Sequence, residues 1–200
     1  MSDVITVKSL EKFFEPEHSM GLAPPLEEQY ILMSEYCTIH EGVPEDVRSY
    51  FNVVVTLYLY GWLYYPFYTL ASERSFFVVE MALRKRFPPK KLDDKGRDPR
   101  PLPDLFIEAK AEGLLRDEDF PNLENRRANA EELNRHIAEV LGRDPELQPE
   151  VPYVDVLRDT FHKLRNSFAH PSMQNIMPPG PAFDGPMLAA EIINQLWPEL

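Results

Sequence analysis

Between Val53 and Ala71 the chain reads VVVTLYLYGWLYYPFYTLA, nineteen residues without a charge. So apolar a stretch must leave water, and while buried it must satisfy its own backbone hydrogen bonds. Its length would also suit a bilayer span. Five tyrosines and a mid-run proline argue against that, because tyrosine favours membrane interfaces over the hydrocarbon centre. The expectation is a central helix, bent at Pro66 and buried on most sides, in a chain that does not enter a membrane.

The flanking sequence carries helix punctuation and little of the alternation that marks strands. Segment 25–42 opens with acidic residues and ends at Gly42. Segment 44–65 opens on Pro44 followed by two acids. Segment 67–87 has Leu70, Phe77 and Met81 at helical spacing and a basic last turn. Further helices are predicted over 102–115, 122–141, 153–170 and 184–197. Loops are expected at 88–101, at 144–152 and in the proline-rich run PSMQNIMPPGPAFDGP. These elements predict an all-α helical bundle with a proline-rich C-terminal loop and a final helix. Residues 1–24 form an N-terminal arm or short helix, and 25–200 form one domain. A hydrophobic fraction of 44% is enough for a core and argues against disorder. The single cysteine, Cys37, cannot form an internal disulfide and lies in an apolar helical pattern. It reads as a buried thiol of a reducing, cytoplasmic setting. The N-terminus has no basic n-region followed by an apolar run, so no signal peptide is expected.

Charge is unevenly spread. The net charge is −12, yet residues 84–100 hold eight Lys/Arg against three Asp. An acidic body excludes broad, sequence-independent coating of nucleic acid, but not a polyanion held at a local basic site.

Such a site is suggested by DVLRDTFHKLRNSFAHPSM, residues 155–173. At about 100° per residue, Val154, Leu157, Phe161, Leu164 and Phe168 share one apolar arc. Arg165 and His170 flank a strip floored by Ala169 and Asn166, and a small residue between two polar ones leaves room for a ligand. Pro171 ends the helix at His170. There the free carbonyls and the negative dipole end favour imidazolium, so a proton can pass in either direction near neutral pH. Arginine can hold a phosphate through two hydrogen bonds. A purely structural reading competes: Arg165 in an ion pair, with Asn166 and His170 closing the helix end. No acid pair, metal-ligand spacing or glycine-rich phosphate loop offers an alternative centre.

RNSFAH, with Arg165, Asn166 and then His170, resembles the signature of the HEPN superfamily of helical-bundle ribonucleases and RNA- or nucleotide-binding domains. That signature is an Arg, usually followed by Asn, Asp or His, then a His after four to six intervening residues. The order of LASERSFFVVEMALRKRF, LPDLFIEAKAEGLL and the motif helix is similar too, and the resemblance covers about residues 50–171. It implies a homodimer paired through the 153–170 helices. It also implies metal-independent, cofactor-free cleavage of single-stranded RNA by attack of the ribose 2′-hydroxyl. His170 would be the general acid/base, Arg165 the phosphate holder and Asn166 the positioning group. The setting would be stress response or phage defence, with an antitoxin or other protein partner.

Around this centre, either Glu73 or Glu80 could orient His170 or pair with Arg165, or both could lie on a solvated face. His162 could add a proton carrier. Lys90, Lys91, Arg97 and Lys163 could guide RNA, or the basic loop could simply be solvated. Two further readings stand beside the ribonuclease: a non-catalytic module that binds nucleotide, RNA or protein, and an unrelated helical interaction protein.

Overall fold

A computed structural model describes residues 9–16, 24–121, 123, 127, 128, 151–169 and 176–198, with backbone alone at 10 and 167–169. These residues form six α-helices and no strand: α1 Leu26–Tyr36, α2 Glu45–Tyr60, α3 Pro66–Arg86, α4 Leu102–Ala111, α5 Tyr153–Ala169 and α6 Pro179–Leu196. The predicted helix over 122–141 lies almost wholly outside the described residues, as do most of residues 1–24.

The charge-free run is not one kinked helix. It is divided between α2 and α3, with the break at 61–65. No described helix is long and apolar enough to cross a membrane. Just after α2 the chain comes close to α3 at Gly61. A Cβ there would lie 2.5 Å from the ring of Tyr68. Tyr68 is fully buried, donates its hydroxyl to Gln29 Oε1 at 2.8 Å, and packs edge-on against Tyr58 and Tyr65. The ring therefore has nowhere to move, and only glycine permits the approach.

α3 is the axis of the bundle. It packs against α2, α4, α5 and α6, while α1 lies on α2 and α6. More than half of α3 is buried, including Tyr68, Ala71, Ser75, Val78, Val79 and Leu83. A helix covered on several sides needs small residues where neighbours come close. At the α3–α6 crossing a Cβ on Gly185 would sit 2.9 Å from Ser72 Oγ and 3.1 Å from Ser72 Cα. Met177 N–H donates to Thr69 Oγ1 at 2.8 Å, fixing the chain just before α6.

Four helix ends depart from expectation. α1 stops at Tyr36 rather than near Gly42, because Asn194 of α6 binds the following strip: its amide donates to Thr38 O at 2.9 Å and its oxygen accepts from His40 N–H at 3.2 Å. α4 stops at Ala111 rather than 115. Gly113, at φ 69°, turns the chain so that Leu114 N–H reaches back to Ala109 O. α2 stops at Tyr60 rather than 65, as above. α6 begins at Pro179, so half of the predicted proline-rich loop is helical. Pro179 and Pro181 occupy its first turn, where the missing N–H has no intrahelical partner to lose.

Gly61→Ala is expected to destabilise the fold by roughly 1–3 kcal/mol through overpacking against Tyr68. Urea unfolding measures this, and an unchanged midpoint would mean that the ring yields after all.

Candidate functional site

α5 is seated at both of its described ends. At its start Asp117 accepts from Tyr153 N–H at 2.6 Å and from Val154 N–H at 3.0 Å, placing an anion on the helix's positive terminus. Lys110 of α4 reaches Asp155 at 2.7 Å. Along its inner face Val154, Leu157 and Phe161 are buried. The Phe161 ring meets Phe76 of α3 at 4.8 Å and Phe106 of α4 at 5.6 Å. Burying a side chain of this size is worth about 2–3 kcal/mol. Phe161 thus fixes the rotation of α5, and Arg165, one turn on, faces α3.

There Arg165 Nε donates to Glu80 Oε2 at 2.9 Å. Glu80 is one of few buried charged residues, at 8% exposure. Its other oxygen accepts from Arg84, with Nε at 3.0 Å and a terminal nitrogen at 2.8 Å. Burial strengthens these charge-assisted bonds and makes them hard to lose. The Arg165 guanidinium stays about one-third exposed, and its terminal nitrogens bond to no described residue. Its carbon also lies 5.8 Å from the centre of the Phe77 ring; Arg74, in the preceding turn of α3, lies 5.6 Å from the same ring. Among the described residues Arg165 is thus held by its Nε edge alone.

The pairing continues into the basic loop. Arg84 reaches Asp98 at 3.2 Å. Arg100 pairs with Asp98 at 2.8 Å and Glu108 of α4 at 2.7 Å, and it donates to Phe87 O, closing the end of α3. The hydrogen bonds from Arg100 hold the Asp98 carboxyl down at about 2, against the opposing effect of its burial. Arg84 and Arg100 therefore staple the loop to the bundle. Arg97 is bound to Asp93 at 3.1 Å within the loop. Lys90 and Lys91 are exposed.

Of the other residues singled out, Asn166 is exposed, and its amide nitrogen lies 3.3 Å from His162 Nε2. Those two form one polar pair on the solvent side of α5, beside exposed Lys163. Glu73 is half-buried, and burial raises its carboxyl above the usual carboxylate range while Arg74 pulls it down. The acid bonded to Arg165 is Glu80. His170 lies outside the described residues. The outward face of α5 carries Val156, Asp159, Thr160, Lys163 and Asn166, of which only Val156 is a large hydrophobic.

Sequence reasoning missed the part played by Arg84, Asp98 and Arg100. The four-residue spacing of Glu80 and Arg84 was a readable signal; the loop contacts were not. Phe77, noted in the sequence only for its helical spacing, is partly exposed, with two guanidiniums near its ring.

The two main concavities lie elsewhere. One of about 550 Å³ is bordered by Tyr36, His40, Arg116, Glu191 and Gln195. Another, of about 710 Å³, is mostly apolar and runs between Leu26, Tyr30, Leu59, Tyr60 and Trp62. Neither is lined by Arg165. Among the described residues no three His, Cys, Asp or Glu side chains converge to hold a metal ion. Cys37 is buried, and burial first, then Glu191, pushes its thiol up to about 12. It is a packing residue rather than a nucleophile.

No protein-family model matches the chain, and no curated protein or solved structure shows detectable similarity to it.

Because the Asp98 pKa is lowered by folding, its contribution to stability is complete above about pH 4, the ordinary aspartate range, and is lost as pH falls through about 2. The stability gap between wild type and Asp98→Asn, from urea unfolding, is expected to be constant above this window and to close within it. A gap independent of pH would contradict the assignment.

Proposed function

We propose that the chain is a metal-independent endoribonuclease of the HEPN type, acting on single-stranded RNA at the C-terminal part of α5. The observation that supports this reading is the one-edged hold on Arg165. Glu80 takes Nε and leaves the terminal nitrogens, which can bind phosphate oxygens side by side. A guanidinium fixed in this way needs little rearrangement to meet the charge that develops on the phosphate.

In the proposed reaction the ribose 2′-oxygen forms a bond to the adjacent phosphorus as the bond from phosphorus to the 5′-oxygen breaks. A base removes the 2′-hydroxyl proton, and an acid delivers a proton to the departing 5′-oxygen. The products are a 2′,3′-cyclic phosphate and a 5′-hydroxyl. His170 serves as acid/base, Arg165 holds the phosphate, and Asn166, beside His162, positions the substrate. The nucleophile belongs to the substrate, so no cofactor takes part. Pairing of two copies through α5 would bring two such sites together.

The Glu80 pair also favours a second reading. An arginine already matched to a buried carboxylate can act as a structural tie, leaving a module that binds RNA or nucleotide without cutting it.

Purified protein is expected to cleave single-stranded RNA in EDTA, leaving cyclic-phosphate ends. His170→Ala should abolish cutting and leave the helical circular dichroism unchanged. Cleavage that persists in that variant, or that requires a divalent metal, would reject the nuclease reading. Binding without product would select the second. Light scattering is expected to return a dimer at micromolar concentration; a monomer would reject pairing through α5.

A further inference from the structure

Two guanidinium groups from different helices converge on one ring. Arg74 of α3 lies over Phe77 at 5.6 Å and Arg165 of α5 at 5.8 Å. The two cations are therefore no farther apart than those two distances together, although like charges repel. Attraction to the ring's negative face offsets part of the repulsion. Their electrostatic situations differ. Arg165 has Glu80, whereas Arg74 is exposed and no described carboxylate lies within ion-pair distance of it. Glu73, its chain neighbour, acts on it only from beyond that distance, and burial disfavours the charged form of that acid. In a chain whose net charge is −12, this places two guanidiniums beside one ring on helix rather than on loop.

We infer that Arg74, Phe77 and Arg165 form an extended subsite for the backbone of single-stranded RNA, with Arg165 on one phosphate and Arg74 on a neighbouring one. This inference rests on the ribonuclease or RNA-binding reading of Arg165 and adds a second anchoring point to it. Two anchors suit a polynucleotide, since a mononucleotide supplies only one phosphodiester-like position. The Phe77 ring keeps both guanidiniums in place and limits the side-chain entropy lost when RNA arrives. Arg74 is a positioning residue: it sets the register of the strand relative to Arg165, remote from the bond that breaks. The basic loop, with Arg100 committed to Asp98 and Glu108, is not required for this anchoring.

The test is salt-dependent binding of a labelled single-stranded RNA oligonucleotide to full-length His170→Ala protein in EDTA, which prevents turnover. Adding Arg74→Ala is expected to weaken binding about tenfold and to make the slope of log affinity against log salt shallower by roughly 0.7, the loss of one phosphate contact. Arg74→Lys should restore the slope, since it keeps the charge, but only part of the affinity. Arg74 is exposed, so thermal unfolding should be unchanged in both variants. If Arg165→Ala weakens binding while Arg74→Ala changes neither affinity nor slope, the subsite is refuted and the reading of Arg165 stands. If the protein binds no RNA even at low salt, that reading fails and takes this one with it.

Discussion

A carboxylate buried in a helical bundle must be paired, or it costs several kcal/mol. Glu80 meets that requirement with two arginines from opposite directions. Arg84 comes from the next turn of the same helix, and Arg165 comes from α5. The arrangement of the α3–α5 contact and the loop after α3 follows from this. Arg84 is drawn toward Asp98, Asp98 binds Arg100, and Arg100 closes α3 and reaches α4. A single buried acid thus coordinates α3, α5 and the basic loop. The aromatic contacts of Phe161 with Phe76 and Phe106 set the rotation of α5 so that Arg165 can reach it.

The same pairing gives Arg165 two roles that do not conflict. Its Nε edge is bonded to Glu80, and its guanidinium carbon lies 5.8 Å from the centre of the Phe77 ring. An arginine free on both edges would sample many orientations and lose more entropy on binding. One secured on both would have nothing left to offer a phosphate. Holding one edge preorganises the guanidinium while keeping its ability to bind an oxyanion. Elsewhere in the chain, acid-rich composition disfavours anions, so any polyanion is directed to the few places where arginine is in local excess.

Helix α3 was legible because both ends announce themselves, with Pro66 in the first turn and a basic run in the last. α5 was legible from its apolar arc, whose members Val154, Leu157 and Phe161 are all buried. The helix ends that went unread are ones decided across space. Tyr68 fills the space a side chain at position 61 would need, and Asn194 captures the chain after Tyr36, more than 150 residues earlier in sequence. The start of α6 at Pro179 went unread for a local reason: a cluster of prolines suggests loop, yet the first turn of a helix tolerates them. Within the site, Glu80 was one of two possible acids by spacing, and only the packing of α5 against α3 distinguishes it from Glu73.

The sequence by itself determined that the chain is helical and where most of its described helices lie. Those properties depend on periodicity and side-chain type, both of which are local. Only the tertiary structure decided which edge of Arg165 is bonded to Glu80, that Arg74 shares Phe77 with it, and that Arg100 of the basic loop is committed to Asp98 and Glu108. Such outcomes depend on distances between residues far apart in the chain. These distances are set by how apolar faces and close-approach glycines allow the helices to pack.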